Sequence, residues 1–260
     1  MCADGIISGG IIYPTIFHEL QPKIGFGWAT RVIGLIALVT LVIANIVTRQ
    51  RVIPTTRRKL FDVSALREAP FVFCTIGFCF GFMGLYNPFF YITSFALSKT
   101  HASATLAFYF VPILNASSFF GRLAPTALAD RVGTLNTLIP VTFLCGALLI
   151  AWTAVRNTGT LVVFAVLYGF FTGTFVALPP STLVALSPDL SKVGTRIGMS
   201  FSVSSIGVLV GSPVGGALLN LQTGHFVRMQ VFCAVVMLVA SVTFVMARVA
   251  KSGVCVRVKA

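Results

Sequence analysis

Arg122 is the residue whose position in the sequence points most directly to chemistry. It follows an uncharged apolar run, residues 102–121, and lies eight residues before Asp130, roughly 12 Å along an α-helix. A charge at that depth in an apolar helix is unfavourable and marks a candidate functional site. The first hypothesis is therefore a functional role for this arginine. The alternative is a structural pairing with Asp130 or with carbonyl groups at the helix end.

Uncharged polar side chains within apolar stretches are further candidates for ligand binding. They are Asn115, Ser117 and Ser118 ahead of Arg122, the cluster Tyr86, Asn87 and Tyr91, and the isolated Tyr168. Amide and hydroxyl groups at such positions can line a cavity, but they also join neighbouring helices. The residues by themselves leave both interpretations open.

Other kinds of site have no signature in the sequence. No nucleophile stands beside a base, no paired acids are evident, and no glycine-rich loop fits a phosphate. The six cysteines show neither metal-ligand nor disulfide spacing. His18, His101 and His225 fall in predicted external loops, where solvated side chains are expected. The sequence therefore predicts no enzyme, no metal site and no cofactor.

The elements that position these residues follow from composition. Of the 260 residues, 57% are hydrophobic and 10% are charged, and the mean hydropathy is +0.95. Soluble domains carry about 25% charged residues, so a soluble enzyme, a nucleic-acid-binding module and a disordered chain are excluded. The composition predicts an all-α, multi-pass membrane protein whose partner is the lipid bilayer, with no nucleic acid.

Uncharged runs give the number of membrane spans, because a helix needs about 20 residues to cross the hydrocarbon core. Eight runs qualify as predicted spans: 5–17, 32–48, 70–98, 102–121, 132–155, 157–188, 197–224 and 229–247. The first is short, and a signal peptide is its alternative, although no basic leader precedes it. The second is expected to begin near Trp28, with Arg31 reaching the interface.

The basic residues predict the orientation of the spans. Alternating spans place fourteen of the nineteen Lys and Arg residues on one side, which marks that side as cytoplasmic. The expected organisation is two helices in 1–48, a basic cytoplasmic link in 49–69, a six-helix bundle in 70–248 and a cytoplasmic tail in 249–260. Glycines at four-residue spacing predict close helix packing, and prolines inside the spans predict kinks.

One local motif resembles a known family. Residues 121–133 read Gly-Arg-Leu-Ala-Pro-Thr-Ala-Leu-Ala-Asp-Arg-Val-Gly, in which Gly133 permits an unusual backbone angle between two helices. An apolar helix end followed by Asp130, Arg131 and Gly133 resembles the signature loop of the major facilitator superfamily. Residues 187–199, 207–216, 87–91 and 27–31 are similar to segments of its monocarboxylate-transporter-like members, above all the fungal branch.

The resemblance implies a fold and a function. It covers the family's fifth to twelfth helices, so we expect a complete C-terminal six-helix half and two helices of the N-terminal half, with four helices missing. It implies a monomeric secondary transporter of small organic anions, such as monocarboxylates, working by alternating access. The plasma membrane is favoured over the vacuole or other internal membranes. Alternatives are a transport-incompetent fragment of such a transporter and, more remotely, a seven-helix receptor.

The resemblance also assigns roles to residues. It implies that Arg122 contacts the substrate carboxylate, and that Gly121, Asp130, Arg131 and Gly133 form the gating loop. In well-studied members an acid one helical turn before this arginine carries the coupled proton. Ser118 occupies that position here, so the sequence leaves proton coupling open.

Overall fold

The computed structural model describes residues 2–48, 61–100, 102–219 and 225–253, with only the backbone for 2–15, 18, 124, 126, 127, 130 and 190. The chain divides into two compact units, residues 1–58 and 59–260. In the described ranges the main elements are nine α-helices: α1 (Cys2–Val47), α2 (Ala69–Leu85), α3 (Asn87–Lys99), α4 (Ala104–Val132), α5 (Thr134–Trp152), α6 (Thr158–Ala177), α7 (Pro179–Leu186), α8 (Val193–Leu218) and α9 (Val227–Ser252).

Seven helical segments in these ranges are long and apolar enough to cross a membrane. They are Glu19–Val47, Ala69–Lys99, Ala104–Leu123, Thr134–Trp152, Thr158–Leu186, Val193–Leu218 and Val227–Ser252. The last six coincide with the six spans predicted between residues 70 and 248, which confirms the all-helical membrane fold. The first predicted span, 5–17, is helical in the backbone, but most of its side chains lie outside the described part of the chain.

Helix α1 accounts for nearly all of the described residues of the first unit, and it corrects one expectation. Residue 18 lies inside α1 rather than in a loop, and the apolar segment Glu19–Val47 includes the predicted start near Trp28. The helix is interrupted at Gly25, whose φ of 77° and ψ of 164° suit only glycine. Arg31 lies over the Trp28 ring, 5.0 Å from its centroid, where an arginine is stabilised by a cation–π contact.

The second unit is a six-span bundle built around α2 and α9. Helix α2 packs along α9 on one side and α8 on another, α4 packs along α6, and α5 joins α9. Aromatic rings fill the centre in edge-to-face pairs: Phe78 and Phe244 have centroids 5.1 Å apart, and Phe82 and Phe175 5.4 Å. Such offset geometries are the favourable ones for aromatic pairs.

Proline breaks two of the spans in the middle of their course. One span turns at Tyr86 between α2 and α3, with Pro88 at the start of α3, and another turns at Leu178 before Pro179 at the start of α7. Proline lacks the N–H that would continue the helical ladder, so a carbonyl of the preceding turn loses its partner. Pro112, Pro125, Pro140 and Pro213 lie within continuous helices, so only some of the predicted kinks become breaks.

The spaced glycines bring two helix pairs into backbone contact, as their spacing predicted. On α8, a Cβ added to Gly207 or Gly211 would lie 2.2 Å or 2.1 Å from a carbonyl oxygen of α2. On α6, a Cβ added to Gly173 would lie 2.2 Å from the Ser118 carbonyl oxygen of α4. Small residues allow the helix backbones to approach closely. This matters in a bilayer because lipid is as apolar as the side chains, so burying apolar side chains contributes little to helix association.

Candidate functional site

Arg122 lies near the break between α2 and α3. Its side chain, on α4 within the Ala104–Leu123 span, is half-buried. The guanidinium lies within electrostatic range of the Tyr86 hydroxyl, and Tyr86 is the residue at which the helix turns. The structure therefore brings together two of the residues that the sequence proposed, from segments 36 positions apart.

Two further candidates on α4 differ in exposure. Asn115 is half-buried, and its amide donates to the Val111 carbonyl one turn earlier, at 3.1 Å. It lies two helical turns before Arg122, so the two side chains share a face. Ser118 is 6% exposed and lies where α4 meets Gly173 of α6. Of this pair, Asn115 is the more accessible beside Arg122.

Asn87 and Tyr168 are fully buried and hold the helix break in place. The Asn87 amide donates to the Met83 carbonyl at 3.1 Å and to the Gly211 carbonyl of α8 at 3.4 Å. The Tyr168 hydroxyl donates to the Leu85 carbonyl, the last of α2, at 3.0 Å. A buried carbonyl at a broken helix needs such a donor. In this conformation both side chains join helices.

Replacement of Tyr168 by phenylalanine is expected to destabilise the bundle modestly. The variant keeps the ring stacked on Phe164, with centroids 5.3 Å apart, but leaves the Leu85 carbonyl without this donor. Because a buried acceptor is then left unsatisfied, we expect the free energy of unfolding to fall by about 1–3 kcal/mol, measured by reversible denaturation in detergent. Tyr109→Phe, which alters an exposed ring on α4, is the control. Equal stability of both variants would show that the Leu85 contact is unimportant.

Two further predicted positions, Tyr91 of α3 and Gly121 of α4, lie at contacts with neighbouring helices. Tyr91 is half-buried, and a Cβ added to Gly216 would lie 2.7 Å from its hydroxyl. A Cβ added to Gly121 would lie 1.8 Å from the Phe170 carbonyl oxygen, and the Gly121 carbonyl accepts from the Thr174 hydroxyl at 2.7 Å. Gly121 is thus a packing position between α4 and α6.

The turn of the signature loop has the conformation that its sequence predicted. Gly133 is the single residue between α4 and α5, and its φ is 108°, a value that L side chains rarely adopt. Arg131 is exposed in the last turn of α4. The Asp130 side chain lies outside the described residues, and with it the predicted alternative of an Arg122–Asp130 pair.

The sequence reasoning did not single out an ion cluster at the other end of α2. Arg196, in the first turn of α8, is 1% exposed and contacts Glu68 and Asp62. The signal was available, because the chain has only six acidic residues and two of them, Asp62 and Glu68, lie just before α2. Nothing in the spacing showed which of the many nearby basic residues would meet them.

The histidines and cysteines form no site in the described residues. His225 is exposed just before α9, as predicted, and His101 lies outside the described residues. No group of three His, Cys, Asp or Glu side chains in that part of the chain has the arrangement of a metal site. Cys74, Cys79, Cys145 and Cys233 are free thiols.

Comparison with known proteins identifies the family. The profile described as Major Facilitator Superfamily matches residues 126–255, which is half of the chain. The match includes the end of the signature loop, α5 to α9 and therefore most of the six-span bundle.

Individual relatives are fungal membrane transporters. The chain is 44% identical to the MFS-type transporter dbaD of Emericella nidulans over 220 residues, which cover 85% of this chain and 50% of the relative. It is 36% identical to the aspyridones efflux protein apdF of the same organism, covering 92% and 48%. It is 35% identical to the agnestins efflux protein AgnL12 of Paecilomyces divaricatus, covering 98% and 58%. The chain spans about half the length of the curated relatives it matches.

Proposed function

Because the chain belongs to the major facilitator superfamily, we propose that it acts as a secondary transporter that moves a small organic anion across a membrane by alternating access. The observation that carries the proposal is the position of Arg122. It is a half-buried cation in an apolar span, within electrostatic range of the Tyr86 hydroxyl at a proline break. The relatives are named as transporters or efflux proteins, which agrees with a non-enzymatic role and does not favour a receptor.

The chemistry of this position suits a carboxylate. A guanidinium offers two parallel N–H donors, and a tyrosine hydroxyl supplies a further donor within reach of the same ligand. The Asn115 amide lies on the same face of α4. Asn87 and Tyr168 act in this proposal by holding the break that presents Tyr86, whereas Arg122, Tyr86 and Asn115 contact the ligand.

The names of two relatives favour outward movement of the substrate. The proteins apdF and AgnL12 are named for efflux of aspyridones and of agnestins, so we propose export of an organic anion, for which monocarboxylates are the simplest probes. Ser118 has no ionisable group in the physiological range, and we propose no proton transfer through it.

The charges at the two ends of the six-span bundle support the proposed orientation. Arg67, Arg131, Lys192, Arg248 and Lys251 lie in or beside the turns at the end where α2 and α8 begin, and Lys99, Arg156 and Arg228 lie at the opposite end. Excess Lys and Arg mark the cytoplasmic side. We propose that residues 61–68 and the end of α9 face the cytoplasm. We propose further that the protein acts as a monomer in the plasma membrane.

A flux assay tests the proposal with the chain as it stands. Liposomes containing the purified chain are loaded with radiolabelled lactate or benzoate, and release is compared with that from protein-free liposomes. We expect faster release, inhibited by an excess of either unlabelled carboxylate and not by the uncharged benzamide. Release equal to that of protein-free liposomes for both probes would contradict the proposal and favour the transport-incompetent alternative.

A further inference from the structure

A buried arginine at the start of α8 joins that helix to the segment in front of α2. The Arg196 Nη1 and Nη2 atoms donate to the two Glu68 carboxylate oxygens at 2.7 and 2.6 Å. Glu68 is the residue immediately before α2. This is the two-pronged arrangement in which guanidinium and carboxylate bind most specifically. The first turns of α2 and α8 are thereby connected by a directed ion pair.

Arg196 also contacts Asp62, which lies six residues before Glu68. Its Nε atom donates to the Asp62 carboxylate at 3.0 Å, and Lys192 lies 4.0 Å from that carboxylate. The Asp62 backbone N–H donates to the Met199 sulfur at 3.3 Å. The pKa of Asp62 lies below its ordinary value because Ser64 donates a hydrogen bond to it and because Arg196 and Lys192 favour the charged form, which together outweigh its desolvation.

The arrangement leaves Arg196 satisfied and enclosed. Its guanidinium also lies over the Phe71 ring of α2, whose centroid is 5.8 Å from the guanidinium carbon. Only 2% of its side chain is exposed, against 10% for Asp62 and 33% for Glu68. Removing one partner from such a group leaves a buried charge without compensation, which is strongly unfavourable. We call Arg196, Glu68 and Asp62 the clamp.

We propose that Arg196 is a positioning residue for transport, which fixes residues 61–68 to the start of α8 as a permanent part of the six-span bundle. This inference rests on the proposed transport function. The chain enters the second unit through residues 61–68. If this segment is fixed to α2 and α8, a displacement of the chain that precedes it also moves the two helices. A loose attachment would absorb the displacement. Arg196 therefore acts through the clamp and does not touch the substrate.

The clamp and the candidate substrate site are held independently. At the far end of α2, the Asn87 amide contacts the Gly211 carbonyl, and the glycines of α8 keep the two helices together. A variant that opens the clamp should therefore leave Arg122 and Tyr86 in place. Loss of the clamp is expected to lower the maximal transport rate without changing the KM for the anion.

Two readouts on the same variants test the proposal. Arg196→Lys keeps the charge but loses the fork, and Glu68→Gln is the milder change if the first variant folds poorly. We expect hydrogen exchange of the Ala65, Arg67 and Glu68 amides, which bond within the segment, to become about tenfold faster or more. In benzoate flux, the maximal rate should fall at least severalfold at unchanged KM. Arg228→Lys, an exposed change at the opposite end, is the control for both.

A charge exchange separates a positioning role from general destabilisation. Arg196→Glu combined with Glu68→Arg restores an ion pair between the two helices, although Asp62 then faces a carboxylate. We expect partial recovery of slow exchange and of the maximal rate relative to Arg196→Glu alone. Unchanged exchange in Arg196→Lys and in Glu68→Gln would overturn the clamp, and faster exchange with an unchanged maximal rate would overturn its role in transport. Absence of flux in the unmodified chain would instead refute the proposed function and the transport role together, while the exchange data would still report on the clamp.

Discussion

Replacement of Gly211 by leucine is expected to prevent the six-span unit from folding. A Cβ at this position would lie 2.1 Å from the Met83 carbonyl oxygen and 2.8 Å from two further backbone atoms of α2. Backbone atoms of a packed helix cannot rotate away as a side chain can, so α2 and α8 must separate. Separation would break the neighbouring contacts of Gly207 and Gly215 and the hydrogen bond from Asn87.

The size of the effect can be bracketed with a smaller substituent. Overpacking a well-packed interior costs about 1–3 kcal/mol, and we expect Gly211→Ala to lower the free energy of unfolding by that amount. Gly211→Leu should exceed it and leave little monodisperse protein. The measurements are the melting temperature in detergent and the yield of monodisperse protein in size-exclusion chromatography.

Gly198 provides a matched control on the same helix. A Cβ added there meets no atom within 4 Å, and alanine is a better helix former than glycine by about 1 kcal/mol. Gly198→Ala should therefore leave the melting temperature unchanged or raise it. If Gly211→Leu melted like Gly198→Leu, the close approach of α2 and α8 would be wrong.

Replacement of Arg122 by lysine is expected to have the largest effect on transport. Lysine keeps the positive charge but presents a point charge in place of the planar fork, so one of the two hydrogen bonds to a carboxylate is lost. A hydrogen bond to a charged group contributes about 1.5–3 kcal/mol, and each 1.4 kcal/mol corresponds to a factor of about ten. We expect the ratio of maximal rate to KM for benzoate to fall roughly 10- to 100-fold.

The Arg122 experiment distinguishes binding from structure. Membrane insertion and the melting temperature of Arg122→Lys should stay close to those of the unmodified chain, since a half-buried lysine can extend towards water. Arg228→Lys repeats the same chemical change at an exposed position and should transport normally. Normal benzoate flux in Arg122→Lys, or an equal loss in both variants, would refute a substrate contact by Arg122.

The spans were predictable because the bilayer imposes a local requirement. Each crossing segment must satisfy its own backbone hydrogen bonds and remain apolar for about 20 residues, so run lengths alone located the six spans from Ala69 to Ser252. The one-residue turn at Gly133 was also local, since it depends on a single backbone angle. The same reasoning placed His18 in a loop, which is wrong. The residue lies within α1, and the helix is interrupted only later, at Gly25.

The roles of the polar residues were not predictable in the same way. Asn87 and Tyr86 are adjacent in the sequence, yet Asn87 is fully buried against α8, whereas Tyr86 is half-buried and within electrostatic range of Arg122. Tyr168 was proposed as a cavity residue, and the structure places its hydroxyl on the Leu85 carbonyl. Proline predicted a kink near this position, but not which distant hydroxyl would donate to the Leu85 carbonyl.

The sequence by itself determined the membrane class, the six spans of the second unit, the one-residue turn at Gly133, and the similarity of residues 121–133 to a transporter family. These depend on hydropathy and backbone chemistry over a few consecutive residues. Only the tertiary structure decided that Gly211 meets Met83, that Tyr86 lies near Arg122 and that Arg196 joins Glu68. Each of these contacts unites segments 36 to 128 residues apart. Such contacts follow from the order in which the helices pack around one another, which no local pattern encodes.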